Sequence, residues 1–253
     1  MNLLADLTNL TQAEVLMLSA IVFVAAMVRG FSGFGLSAVV MASALFILPP
    51  LALIPMLWFL EMAGSLAMFK GGIADADRPT AKGLIIGSAF GLPIGLLINM
   101  QLATNTSKAL ALSILIVLAI SQLAKVKLPS LATRLGTYGT GLGAGIITGF
   151  AGAGGMLIAL YTLARDLPAR TIRGTLSIYL LGAGILGLIT HLAIGTMDQT
   201  AIARGLFFII PTLLGLYAGR ALFIPRLERY YKPFCLTLLL GLASLGLIRT
   251  VSN

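Results

Sequence analysis

The sequence predicts an all-α, polytopic membrane protein made of two inverted repeats, each a glycine-broken helical hairpin plus three transmembrane helices. Three observations carry that prediction. Apolar runs near the roughly 20 residues needed to cross a bilayer recur along the whole chain. A short glycine pattern interrupts two of them. Lysine and arginine then segregate to one side only if those two runs are hairpins. Of the 253 residues, 58% are hydrophobic and 10% charged, and mean hydropathy is +1.03. A soluble domain carries about a quarter charged residues.

Taken in order, Thr11-Gln12-Ala13-Glu14 reads as a capping box that opens the first apolar helix. No cleaved signal peptide is expected, because Met1 to Val28 carries Asp6 and Glu14 but no basic n-region. Apolar blocks follow at 14–48, 51–69, 83–99, 107–124, 135–164, 174–194, 203–222 and 232–248. Six have the length of one span. The first and fifth are too long for one crossing, and both carry the glycine pattern near the middle: Gly30-Phe31-Ser32-Gly33-Phe34-Gly35 and Gly149-Phe150-Ala151-Gly152-Ala153-Gly154, with Pro49 and Pro168 at the same distance beyond. Each arm, such as 14–29 or 36–48, falls short of a full crossing. A strongly tilted broken helix and a helix–turn–helix hairpin both accommodate this.

Charge bias separates those readings, since lysine and arginine concentrate on the cytoplasmic side. With single crossings, eight basic residues fall on each side. With hairpins, thirteen fall on one side, only Lys108, Arg204 and Arg249 on the other, and Arg29 stays within the membrane. The hairpin parity therefore places both termini outside the cytoplasm, although six spans plus two hairpins and ten short spans share it. It also makes the halves inverted, with an odd number of net crossings in each. Gly91 and Gly95 match Gly215 and Gly219, and Lys108 matches Lys232. The chain is read as a single transmembrane domain, 1–253, with repeat 1 at about 12–125 and repeat 2 at about 135–249.

Function follows from the breaks. Non-helical backbone at membrane depth persists only where it is buried or lines a cavity, and paired broken segments point to a site at a repeat interface. A helix restarting after such a break offers unpaired N–H groups and a positive dipole end to an anion. The expected substrate contacts are Arg29, Phe31, Ser32, Gly33 and Gly35 in the first half, with Ser32 capping the second arm. In the second half they are Gly149, Ala151, Gly152, Gly154 and Gly155, as main-chain donors, with Thr175, Ser177 and Tyr179 as weaker polar lining. These glycines could also simply pack the two loops together. An arginine at the membrane centre costs about 2.5–3.5 kcal/mol on insertion scales and so needs a partner or a purpose. Glu61 lies mid-span with Gly64, Ser65 and Met68 on its face. Either the two form a structural ion pair, or Arg29 contacts substrate while Glu61 carries a proton. The second half has Thr148 and Leu180 at these positions.

Other classes recede. The net charge of +9 sits in short loops, as in cytoplasmic loops of membrane proteins, so nucleic acid is not an expected partner. One His and one Cys, His191 and Cys235, leave no metal set, no disulfide and little for catalysis. His191 is expected to be a satisfied or interfacial histidine. No Walker motif is present, so no ATP hydrolysis, enzyme activity or cofactor is expected. Trp58 and Phe59 are expected to pack. Small-residue stripes at Gly87, Gly91, Gly95 and at Gly141, Gly145, Gly149 suit intramolecular packing more than a homodimer face. Partners are therefore the bilayer and a small anion. A channel, a proton-coupled uptake permease and a passive scaffold are the alternative readings.

Paired glycine-rich turns in blocks one and five of an eight-block chain of this length resemble the sulfite exporter TauE/SafE family. The resemblance spans essentially the whole chain, although Leu36 stands where another glycine is common and Ala159 where a proline often follows. It implies transport of sulfite, organosulfonates or other small organic anions across the bacterial inner membrane, with the turns at Gly30–Gly35 and Gly149–Gly155 as the substrate region. Export is the expected direction. Each negative charge leaving a negative cytoplasm gains about 2.3 kcal/mol per 100 mV, so an exporter needs neither sodium nor a proton. Uptake would need cotransport, for which Glu61 is the intramembrane carboxylate.

Overall fold

A computed structural model describes residues 7–33, 35–68, 76–126, 131, 133–165, 169–222 and 228–252. Phe34, Lys70, Lys127, Pro168 and Arg226 lie outside these residues, and the side chains of Phe31, Ser32, Arg170, Arg173, Arg229 and Lys232 are likewise not described. The described residues form ten α-helices: α1 (Gln12–Ser32), α2 (Leu36–Ala44), α3 (Pro50–Met68), α4 (Arg78–Met100), α5 (Thr104–Leu123), α6 (Arg134–Ala151), α7 (Gly154–Ala164), α8 (Ala169–Ile194), α9 (Gln199–Ala221) and α10 (Glu228–Ser252). Seven of them, all but α2, α6 and α7, are long and apolar enough to cross a membrane.

Helix starts are set by polar caps that hydropathy overlooks. Asp77 caps α4 through the Thr80 N–H and Asp198 caps α9 through the Ala201 N–H, so both helices begin several residues before their apolar blocks. The capping box on α1 is present, with the Thr11 N–H donating to Glu14 at 2.8 Å and the Glu14 N–H to the Thr11 hydroxyl at 3.3 Å.

The hairpins are unequal, which corrects the expectation of two short arms. α1 has 21 residues, about 32 Å at 1.5 Å per residue, while the nine of α2 reach only about 14 Å. The same holds for α6 and α7, with 18 and 11 residues. The shorter arm of each block is too short to cross, and of the two longer arms α1 alone is also a candidate span. The first glycine of each motif does not break its helix. Gly30 and Gly149 stay helical because each packs against another backbone: a Cβ on Gly30 would lie 2.5 Å from the Leu216 carbonyl, and one on Gly149 2.5 Å from the Leu96 nitrogen. The break falls at the second glycine. Gly33 (φ +83°) and Gly152 (φ +62°) take the left-handed conformation that ends α1 and α6, and their N–H groups close on the Arg29 and Thr148 carbonyls.

Packing between the halves is reciprocal. α4 lies on α6 through Gly91 and Gly95, whose Cβ positions would run into the Leu142 and Ile146 carbonyls. α9 lies on α1 through Gly215 and Gly219, which meet the Phe23 and Met27 carbonyls in the same way. Contacts climb in step, so each of these pairs runs parallel. The pairs of α3 with α9 and α4 with α8 also climb in step, through Phe59 with Gly205 and Ala67 with Arg220, and through Asp77 with Thr175 and Ile85 with Gly182. Since α1 and α3 both parallel α9, the chain must reverse through α2 between them. The glycine stripes Gly87–Gly91–Gly95 and Gly141–Gly145–Gly149 face each other inside the molecule.

Because these contacts are backbone on backbone, Gly91→Val is expected to destabilise the protein by about 3 kcal/mol, the upper range for overpacking. Gly155→Ala, whose added Cβ would meet nothing within 4 Å, is expected to change stability little. Thermal unfolding of both variants in detergent checks this pair.

Candidate functional site

The two breaks open onto one cavity of about 130 Å³, room for about four waters at their liquid volume. Gly33 and Gly35 border it from the first turn, and Gly152, Ala153 and Gly155 from the second. α3 and α8 form the opposing walls, with Trp58 and Glu61 on one and Tyr179 and His191 on the other. Arg29, at the last turn of α1, completes it. Its side chain is only 2% exposed, against 28% for Glu61.

Arg29 and Glu61 are an ion pair through Nη1 and Oε2. Arg29 Nη2 donates to the Ser65 hydroxyl at 2.9 Å, one turn further along α3. Gly64 makes this possible, because its Cα lies flat against the guanidinium; a Cβ there would sit 3.2 Å from Cζ and Nε. The other carboxylate oxygen, Oε1, accepts the Ser37 N–H at 3.2 Å and the Ser37 hydroxyl. Ser37 is the second residue of α2. Glu61 therefore sits on the positive end of α2, while Arg29 sits in the last turn of α1, where a cation is favoured. One carboxylate ties both arms of the first hairpin to α3.

The N-cap of α2 is Gly35, in the left-handed region at φ +93°. Ser32 is the last residue of α1 and the capping expected of its side chain lies outside the described residues; from α3, Glu61 accepts the Ser37 N–H in the first turn of α2. Sequence reading missed Ser37, although its place two residues beyond the last glycine is where a helix start exposes its N–H.

The second hairpin lacks this pair. Thr148 bonds its own helix through the Ala144 carbonyl at 2.8 Å, and Leu180 lines the cavity where Glu61 has its counterpart. No side chain caps α7, whose N-cap is Ala153. Instead Gln122 donates to the Met156 carbonyl at 3.0 Å, and Asn99 to the Gly149 carbonyl at 2.9 Å. The far end of α7 is held by Arg165, which donates to Thr80 at 2.8 Å and Tyr161 at 3.0 Å and pairs with Asp77 at 3.2 Å. The positive end of α7 thus faces the cavity beside Gly155 without a protein carboxylate on it.

Of the expected contacts, Arg29, Gly33, Gly35, Gly152, Gly155 and Glu61 converge on the cavity. Gly149, Ala151 and Gly154 are not at its wall. Gly149 and Gly154 pack against α4 and against Ala144, and Ala151 is fully buried. Thr175 and Ser177 also lie outside its lining: Thr175 accepts the Asp77 N–H at 3.0 Å and donates to the Thr171 carbonyl. Tyr179 does face it, with its hydroxyl 3.1 Å from that of Ser88. Trp58 lines the wall and donates to the Gly184 carbonyl at 2.8 Å. His191 is a satisfied histidine, 2.7 Å from the Thr196 hydroxyl through Nδ1, and it borders the cavity as well.

Removing one member of a buried ion pair strands the other charge, at a cost of about 3 kcal/mol. Glu61→Ala is accordingly expected to destabilise by that amount, and an Arg29→Met, Glu61→Met double variant by less than either single change. Unfolding temperatures of the three proteins in the same detergent decide the point.

Neither the curated proteins nor the solved structures yielded a match. The family model described as Sulfite exporter TauE/SafE matches residues 18–245, a stretch that contains both breaks, Arg29, Glu61 and every wall of the cavity. The chain belongs to the sulfite exporter TauE/SafE family, whose members are membrane transporters.

Proposed function

We propose that this protein is a secondary carrier that moves a small anion, sulfite or an organosulfonate, by alternating access across the bacterial inner membrane, with export as its direction. The observation that carries this reading is the convergence of two broken-helix starts and one buried arginine on a single cavity. An anion there meets the uncapped end of α7 on one side and the Arg29 fork on the other, the two donor types best suited to an oxyanion. The apolar remainder of the wall lowers the local dielectric and so leaves those donors strong.

The halves are inverted repeats in this reading. Phe23 and Leu142 are separated by the same 119 residues as Met27 and Ile146, and their glycine partners by 124. Equivalent positions therefore make equivalent contacts, as expected of a two-fold relation in the membrane plane. Rocking one pair, α1 with α9, against the other, α4 with α6, would open the cavity to alternate sides. Both termini lie on the periplasmic side by the charge bias of the loops.

Counterflow of radiolabelled sulfite in proteoliposomes tests the proposal, with taurine, sulfoacetate, sulfate and acetate as competitors. Saturable exchange is expected. Arg29→Gln is expected to weaken it roughly tenfold to a hundredfold, the worth of a charged hydrogen bond. Gly155→Val, which fills the cavity beside α7, is expected to abolish it. Unsaturable flux would make the protein a channel, and exchange unaffected by either change would remove the site.

A further inference from the structure

Resting on that carrier reading, we propose that Glu61 is a proton site, and that an incoming anion takes over its place at Arg29 and the start of α2 while Glu61 leaves as the neutral acid. Glu61 already holds the donors an anion would seek: the Arg29 guanidinium through Oε2, and the Ser37 N–H and hydroxyl through Oε1. It is the protein's own stand-in for the substrate. With one arginine and one carboxylate the empty cavity is neutral. A second anion entering beside an ionised Glu61 would leave a negative charge uncompensated at low dielectric, which is strongly disfavoured. Protonation removes that charge, and the site stays neutral with a singly charged substrate in it, so transport is electroneutral and export runs on the anion's own concentration gradient rather than on the membrane voltage.

The geometry makes the exchange feasible. Arg29 is also anchored by Ser65 and wedged against Gly64, so it stays in place when Glu61 departs. The Glu61 side chain is 28% exposed and that of Arg29 only 2%, so the carboxylate is the partner that cavity water reaches. The proton comes from water on the side to which the cavity is open. An O–H bond forms at one Glu61 oxygen, the bonds within the transported anion are untouched, and the proton leaves on the opposite side. With Leu180 as the counterpart in the second half, one proton travels per cycle.

The other titratable groups on the cavity wall are Arg29 on α1 and Tyr179 and His191 on α8. The described residues that α2, α4, α6 and α7 bring to that wall carry no ionisable side chain. α9 and α5, which also pack on α3, carry Arg204 on the Thr8 carbonyl, Arg220 on the Ala67 carbonyl, Tyr217 and Lys108.

The test uses the full chain in proteoliposomes with a lumenal pH dye, the voltage being clamped by valinomycin and potassium. The probe is methanesulfonate, which has no proton of its own to lose in this range, and sulfite at alkaline pH is run alongside. Entry of the anion is expected to acidify the lumen by one proton per anion, and flux of methanesulfonate to be indifferent to voltage. Apparent affinity should fall about tenfold per pH unit over the range in which binding draws one proton onto an otherwise ionised Glu61, the slope of a one-proton linkage. In Glu61→Gln the acidification is expected to be lost and whatever anion exchange remains to become voltage-sensitive, whereas His191→Gln should retain the proton signal. Anion flux in the wild type without acidification overturns the proposal and leaves the carrier standing, as does proton movement that survives in Glu61→Gln. Absence of counterflow with either anion removes the carrier reading itself and this inference with it.

Discussion

The ion pair between Arg29 and Glu61 is the constraint on which the first half of the molecule turns. A chain that stops a helix inside a membrane exposes carbonyls at one end and N–H groups at the next, and lipid satisfies neither. Here the stop is made tolerable by placing a cation in the last turn of α1 and an anion on the first turn of α2, each on the other's doorstep. Glu61 reaches both from α3, so three helices are fixed by one side chain. Gly64 and Ser65, on the same face of α3, complete the seat for the guanidinium.

Close backbone packing supplies the frame around that seat. α4 meets α6 and α9 meets α1 through glycines whose missing side chains let main chains touch. In lipid there is little hydrophobic drive between helices, and such contact is what holds them. Yet the two halves that share this frame differ at the cavity. One hairpin is closed by an internal carboxylate, and the other is held by Gln122 and Asn99, which bond carbonyls and leave the α7 end facing the cavity. A near-symmetric scaffold thus carries an asymmetric site.

Several parts were legible because they depend on local chemistry. The capping box at Thr11–Glu14, the presence of a glycine break in each of the two long blocks, the shared face of Glu61, Gly64 and Ser65, and the inward-facing glycine stripes each follow from spacing alone. Others were not. Gly30 and Gly149 look like helix breakers, but a helical glycine and a broken one have the same sequence, and only the neighbouring backbone of α9 or α4 decides between them. The carboxylate on the start of α2 was not legible either. It arrives from a residue 24 positions beyond Ser37, a distance at which pattern carries no information.

By itself, the sequence determined the class, the two breaks and the residues that bear charge at membrane depth, since hydropathy, glycine chemistry and the cost of burying an ion act position by position. Only the tertiary structure decided that the arms are unequal, that Thr175 meets the start of α4 rather than the cavity, and that Glu61 sits on the start of α2. Those outcomes rest on which surfaces meet across the fold, and the meeting joins segments from 24 to 98 residues apart.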